Sequence, residues 1–68
     1  MSDEIAALKD EIRKLNARAT QAKMDLHDLS EELPTGWKTI LEVAAKTYEA
    51  HEKLFAARER MKTLEKGV

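Results

Sequence analysis

Leu33-Pro34-Thr35-Gly36-Trp37 contains the only proline of this 68-residue chain and one of its two glycines. Proline disfavours helical geometry at the residue before it, here Leu33, and Gly36 is free to take positive φ in a turn. On each side lie about 30 residues that are rich in Ala, Leu, Glu, Lys and Arg, all good helix formers. No strand-like alternation interrupts them. The expected plan is a single domain, residues 1–68, made of two helices about one reversal. Helix 1 covers about 3–33, the turn 34–38, and helix 2 about 39–66.

The spacing of apolar residues says how the helices pack. In the first segment Ile5, Leu8, Ile12, Leu15, Ala19, Ala22, Leu26, Leu29 and Leu33 recur at intervals of three and four. That is a heptad seam, made for lengthwise packing against another helix. Ala19 and Ala22 narrow its middle, where two backbones can approach closely or a larger side chain can fill the gap. Ser2 or Asp3 is the expected N-cap, and Asp3 and Glu4 suit the positive end of the helix dipole. In the second segment Thr39 and Glu42 fit a capping box. Ile40, Val43, Thr47, Ala50, Leu54, Ala57, Met61, Leu64 and Val68 repeat the seam. Arg58, Arg60, Lys62 and Lys66 crowd the last turns, where cations suit the dipole.

A short loop folds two such helices back antiparallel. Leu33 is then expected opposite Ile40, Leu26 opposite Thr47, Leu15 opposite Ala57, and Ile5 near Val68. Helix 2 also carries a second stripe: Trp37, Leu41, Ala44, Tyr48, His51 and Phe55. One hairpin cannot cover it. The simplest closure is a homodimer of two hairpins making a four-helix bundle, with Trp37, Leu41, Tyr48, His51 and Phe55 as interface. Docking of a different protein, and stacking of a ligand, are the alternatives for this face. His51 reads as a polar group of the interface rather than a ligand.

Composition narrows the function classes. Chains this short rarely stabilise themselves without disulfides, a metal or a partner. The absence of cysteine removes disulfides, thiolate metal sites and cysteine nucleophiles. Twelve Lys and Arg against thirteen Asp and Glu give a net charge of −1, so binding to nucleic acid is not expected. No apolar run approaches the roughly 18 residues of a membrane span. Met1-Ser2-Asp3-Glu4 lacks the basic start of a signal peptide, and the expected location is the cytoplasm. There is no phosphate-binding glycine loop, no His-Glu-x-x-His and no nucleophile elbow, so no catalysis is expected.

One segment breaks a local rule. Asp25, Asp28, Glu31 and Glu32 place four carboxylates near the end of helix 1, against the helix dipole. Local rules are most often broken at functional sites. His27 and Glu31 stand one turn apart, a spacing at which two side chains can chelate one metal; Asp28 and Glu32 repeat it. The alternatives are pairing with Lys38 and Lys46 from the start of helix 2, simple solvation, or a charged docking patch. His27, Glu31 and Asp28 are the candidate ligands for a divalent transition metal (nickel, iron, zinc or copper), and no cofactor is otherwise indicated.

A resemblance enters at particular residues. The string Lys14-Leu15-Asn16-Ala17-Arg18-Ala19-Thr20-Gln21-Ala22-Lys23-Met24-Asp25-Leu26-His27-Asp28-Leu29, then Leu33-Pro34, Trp37 and Val43-Ala44-Ala45-Lys46-Thr47-Tyr48-Glu49-Ala50, resembles a family of small Rop-like proteins of unknown function encoded within bacterial nitrogen-fixation gene clusters. The resemblance runs from about Leu8 to Leu64. It implies a dimerising helical hairpin and an accessory role in nitrogenase biogenesis, with a metalloprotein label. Two positions depart from the family pattern: Leu41 stands where proline would open helix 2, and His51 where an apolar residue is expected. The expected fold is all-α, a Rop-like antiparallel hairpin that dimerises. The expected function is a non-enzymatic adaptor for nitrogen fixation with a nitrogenase-assembly protein as partner. A metal-binding accessory protein is second and Rop-like RNA binding third.

Overall fold

A computed structural model describes residues 2–66. Helix α1 spans Ser2–Glu32, a 3-10 turn spans Trp37–Thr39, and helix α2 spans Ile40–Lys66. The helices lie antiparallel in a rod of 51 × 14 × 12 Å. Asp3 lies inside α1 rather than capping it, and Asp3 and Glu4 occupy its first turn as the dipole favours; the side chain of Ser2, the other expected cap, lies outside what the structure describes. Val68, expected near Ile5, lies outside the described residues.

The reversal uses the residues that the sequence marks. Leu33 N–H donates to the Leu29 carbonyl at 3.1 Å, the last bond of the α1 ladder, and Trp37 N–H donates to the Pro34 carbonyl at 3.3 Å. Gly36 has φ 79°, the left-handed region where a side chain costs about 1 kcal/mol or more. Leu29 is buried beneath it, and a Cβ on Gly36 would lie 3.4 Å from Leu29 Cδ1.

The capping box does not form. Thr39 Oγ1 donates back to the Gly36 carbonyl at 2.8 Å, where its own N–H also donates at 3.0 Å. The hydroxyl thus serves the 3-10 turn instead of accepting from the first amides of α2. Glu42 pairs with Lys46 at 3.4 Å.

The core is a single seam. Leu8, Leu15, Ala19, Leu54, Ala57 and Met61 form one buried cluster, with Ile5, Ile12, Ala50 and Leu64 half-buried against it. At the narrow middle, Thr47 Oγ1 bonds the Val43 carbonyl of its own helix at 2.9 Å and comes within 3.3 Å of the Ala22 carbonyl of α1. Alanine at position 22 leaves the α1 backbone open to this approach. Thr47 therefore faces Ala22, one turn before the expected Leu26. On the outer face of α1, Arg13 and then Lys14 hold the Asp10 carboxyl below its usual range, through hydrogen bonds and charge.

Ala22→Leu should lower stability by about 1–3 kcal/mol, because the added side chain must displace Thr47 or part the helices. Gly36→Ala should cost about 1 kcal/mol, and Gly36→Asn less, since asparagine tolerates the left-handed region. Thermal and denaturant unfolding measure both effects. An Ala22→Leu variant that gains stability would show a void at the seam rather than a close approach.

Candidate functional site

Two features stand outside the seam: the second stripe of α2 and the acidic end of α1.

The stripe is open to solvent in the single hairpin. Trp37 is 61% exposed, Leu41 83%, Tyr48 70% and Phe55 56%. The cause is geometric, since the seam occupies one arc of α2 and the stripe lies about a quarter-turn round the same helix. Thr47, Tyr48, His51, Glu52 and Phe55 line a shallow hollow of about 440 Å³ on this face. His51 is half-buried in this hollow, and Ala44, one turn before Tyr48 on the stripe, is half-buried as well. His51 Nδ1 lies 2.9 Å from the Thr47 carbonyl, which can only accept, so Nδ1 donates and Nε2 is directed away from that bond. The stripe has charged edges. Lys38 Nζ lies 5.9 Å from the Trp37 ring centre, and the Arg58 guanidinium 5.3 Å from that of Phe55. Both are cation–π distances.

At the end of α1 the carboxylates do not meet the lysines of helix 2. Lys46 is taken by Glu42, and Lys38 lies over Trp37. Asp25 accepts instead from Gln21 Nε2 at 3.0 Å, and Ser30 Oγ donates to the His27 carbonyl at 2.6 Å. The His27 ring stands between two carboxylates. Glu31 Oε1 is 3.6 Å from Nε2, and Asp28 Oδ1 is 3.9 Å from Nδ1. The two oxygens thus address opposite ring nitrogens, so His27, Glu31 and Asp28 do not converge on one point. Among the described residues no group of three or more His, Asp or Glu side chains is placed to hold a metal ion. His27 with Glu31 offers two donors, short of the three or four protein ligands of a held zinc. These residues, in one chain, do not fit a closed metal site.

Sequence reasoning did not anticipate Arg58 beside Phe55. The signal was present in the three-residue spacing, which places them on one helix face.

Phe55→Asp should leave the hairpin helical and abolish association through this face, whereas Phe55→Leu should retain it. An aspartate buried there without a partner costs several kcal/mol. Sedimentation of both variants decides it, and an aspartate variant that associates normally would place Phe55 outside any interface. Glu31→Gln should leave the melting temperature unchanged or raise it by about 2–3 °C, because it relieves a charge opposed to the helix dipole. A clear fall would assign Glu31 to fold stability.

Among the described residues no helix is long and apolar enough to cross a membrane. A UPF0437 protein of Azorhizobium caulinodans is 57% identical over 98% of this chain and 96% of its own length. A Frankia alni relative, described as a UPF0437 protein in the nifX-nifW intergenic region, is 47% identical over 75% of this chain and 62% of its own. A crystal structure of a DUF683-family protein from the cyanobacterium Cyanothece 51142 superposes with a TM-score of 0.92 at 43% identity, covering 96% of this chain and 92% of that one. The Rop-like family matches residues 3–66, nearly the full length of the two-helix rod. With its heptad seam, its Pro34–Gly36 reversal and these relatives, the chain belongs to the Rop-like family.

Proposed function

We propose that this protein is a non-enzymatic accessory or adaptor protein of nitrogen fixation, acting in the cytoplasm through protein–protein contacts as a homodimeric helical bundle. The observation that carries the reading is the bare stripe Trp37–Leu41–Tyr48–Phe55 on the 3-10 turn and α2. A 7.7 kDa chain that exposes 5552 Å² has about 1,200 Å² more surface than a compact monomer of its mass. A stable interface removes about 800 Å² from each partner, so the excess is of the size that one association would cover. The link to nitrogen fixation is supported by the Frankia alni relative in the nifX-nifW intergenic region. The partner in that role is proposed to be a protein of nitrogenase assembly.

A metal-binding accessory protein is the second reading, favoured by the His27 Nε2–Glu31 Oε1 approach of 3.6 Å. Two exposed donors make a weak, exchangeable contact, which is why this reading ranks below the adaptor. Binding of RNA, the third reading, has only the name of the fold behind it, and a fold does not carry function with it.

Sedimentation at micromolar concentration should give a dimer, and the melting temperature should fall on dilution. A monomer whose melting temperature is unmoved by dilution would refute the bundle. Affinity capture from nitrogen-fixing cells, with metal analysis of the same eluate, separates the readings. A stoichiometric protein partner without metal supports the adaptor, and copurified metal lost on His27→Ala supports the second reading.

A further inference from the structure

His51 is the one polar ring on an otherwise apolar stripe, and only half of it is satisfied. Nδ1 donates to the Thr47 carbonyl at 2.9 Å, while Nε2 has no hydrogen-bond partner among the described residues. The ring lines the same hollow as Tyr48 and Phe55. Once the stripe is covered, Nε2 needs a donor if the ring is neutral and an acceptor if it is protonated. Tyr48, 70% exposed, carries the only hydroxyl of the stripe, and a hydroxyl serves in either capacity.

This inference rests on the dimer reading above. An isologous contact pairs residue i with j and j with i. The stripe and its continuation form two rows with a step of seven, Trp37–Ala44–His51–Arg58 and Leu41–Tyr48–Phe55–Lys62. Two such stripes laid antiparallel set one row of each copy against the other row of its mate, in registers a heptad apart. In one register Phe55 meets Trp37, Tyr48 meets Ala44, and His51 lies against Leu41, which has nothing to bond Nε2. In the next, Tyr48 meets His51 and Phe55 meets Ala44, the smallest residue of the stripe. The stems of Arg58 and Lys62 then cover Leu41 and Trp37. A third register leaves Leu41 and Trp37 bare, and a parallel pairing sets Arg58 against Arg58 and His51 against His51.

Two further observations favour the second register. Its two-fold axis falls between Glu49 and Ala50, close to His51, which is midway between Gly36 and Lys66, so the rods overlap along almost their whole length. The first register is centred on Lys46 and slides them about 10 Å out of overlap. Charge points the same way. Glu4 shares a hollow with Arg60 and Thr63, which puts the row Glu4–Glu11–Arg18–Asp25 on the far side of the rod and the row Lys9–Asn16–Lys23 beside the stripe. The Thr47–Ala22 approach sets Lys23 level with Lys46. The first register therefore brings Lys23 of the two copies level with each other, whereas the second sets Lys23 level with Asn16.

We propose that the register of the dimer is fixed by two symmetry-related hydrogen bonds, in each of which the Tyr48 hydroxyl of one copy meets His51 Nε2 of the other, with Phe55 seated on Ala44 beside each bond. The second copy thus completes the hydrogen bonding of a ring that the hairpin alone leaves half satisfied.

The chain has no cysteine, so Glu42→Cys and Ala56→Cys each accept a single nitroxide label, and both positions lie outside the stripe. Pulsed dipolar spectroscopy of each labelled dimer reads the register. The proposed one separates the two labels by about 22 Å along the rod at position 42 and about 20 Å at position 56, so the two distances nearly match. The first register gives about 12 and about 30 Å, and a parallel pairing about zero at both. Sedimentation supplies the second readout, with helicity checked by circular dichroism. Tyr48→Phe should raise the dimer Kd about 10-fold, because Nε2 is then covered without a partner. Tyr48→Phe with His51→Leu removes both polar groups and should return the Kd to within about 3-fold of the native value. Label distances that differ strongly between the two positions or vanish along the rod, or a Kd that Tyr48→Phe leaves unchanged, overturn the pairing and leave the dimer standing. A native chain that is monomeric at micromolar concentration overturns the dimer reading and the pairing with it.

Discussion

Lengthwise contact between two helices only 27 and 31 residues long is the constraint on which everything else depends. Each helix presents one narrow arc to the other, and the arc is filled by Leu8, Leu15, Ala19, Leu54, Ala57 and Met61. Among the described residues no side chain is completely enclosed, and no polar side chain is buried. Two helices side by side have no third element to cover their remaining faces. Any further apolar stripe must therefore meet water or another molecule, and α2 has such a stripe. The surface of the rod thus follows from the width of its seam.

That surface is divided along its length. Trp37 on the 3-10 turn and Leu41, Tyr48 and Phe55 on α2 are exposed, while Arg58 and Lys62 take over the same face beyond Phe55. The carboxylates of α1 gather at the turn end, where the helix dipole disfavours them. Apolar area, charge sign and helix direction change together along one 51 Å rod. Such a molecule presents contact surfaces along its length, which is why the proposed role is carried by association.

The reach of the sequence was uneven in physically intelligible ways. Gly36 was legible as a left-handed turn residue because only backbone sterics are involved. Exposure of Tyr48 and Phe55 was legible because helical periodicity assigns each residue to an arc. Thr39 was misread: a threonine followed by a glutamate three residues on fits a capping box, but the same hydroxyl can donate backward, and the 3-10 turn presented the Gly36 carbonyl first. Lys38 and Lys46 were misplaced for a similar reason. Both were near enough to the α1 carboxylates in sequence register, yet each found a closer partner on its own segment, the Trp37 ring and Glu42.

By itself the sequence determined the two helices, their reversal and the pair of apolar stripes, since each depends on local propensity or on a period of 3.6 residues. Only the tertiary structure decided which residues meet across the seam. The heptad allows several registers one turn apart, and the close approach of Thr47 to Ala22 selects one of them. It also decided that Asp28 and Glu31 face opposite nitrogens of His27. Spacing along a helix places two side chains on one face, but ring orientation and side-chain rotamers determine whether their donor atoms converge.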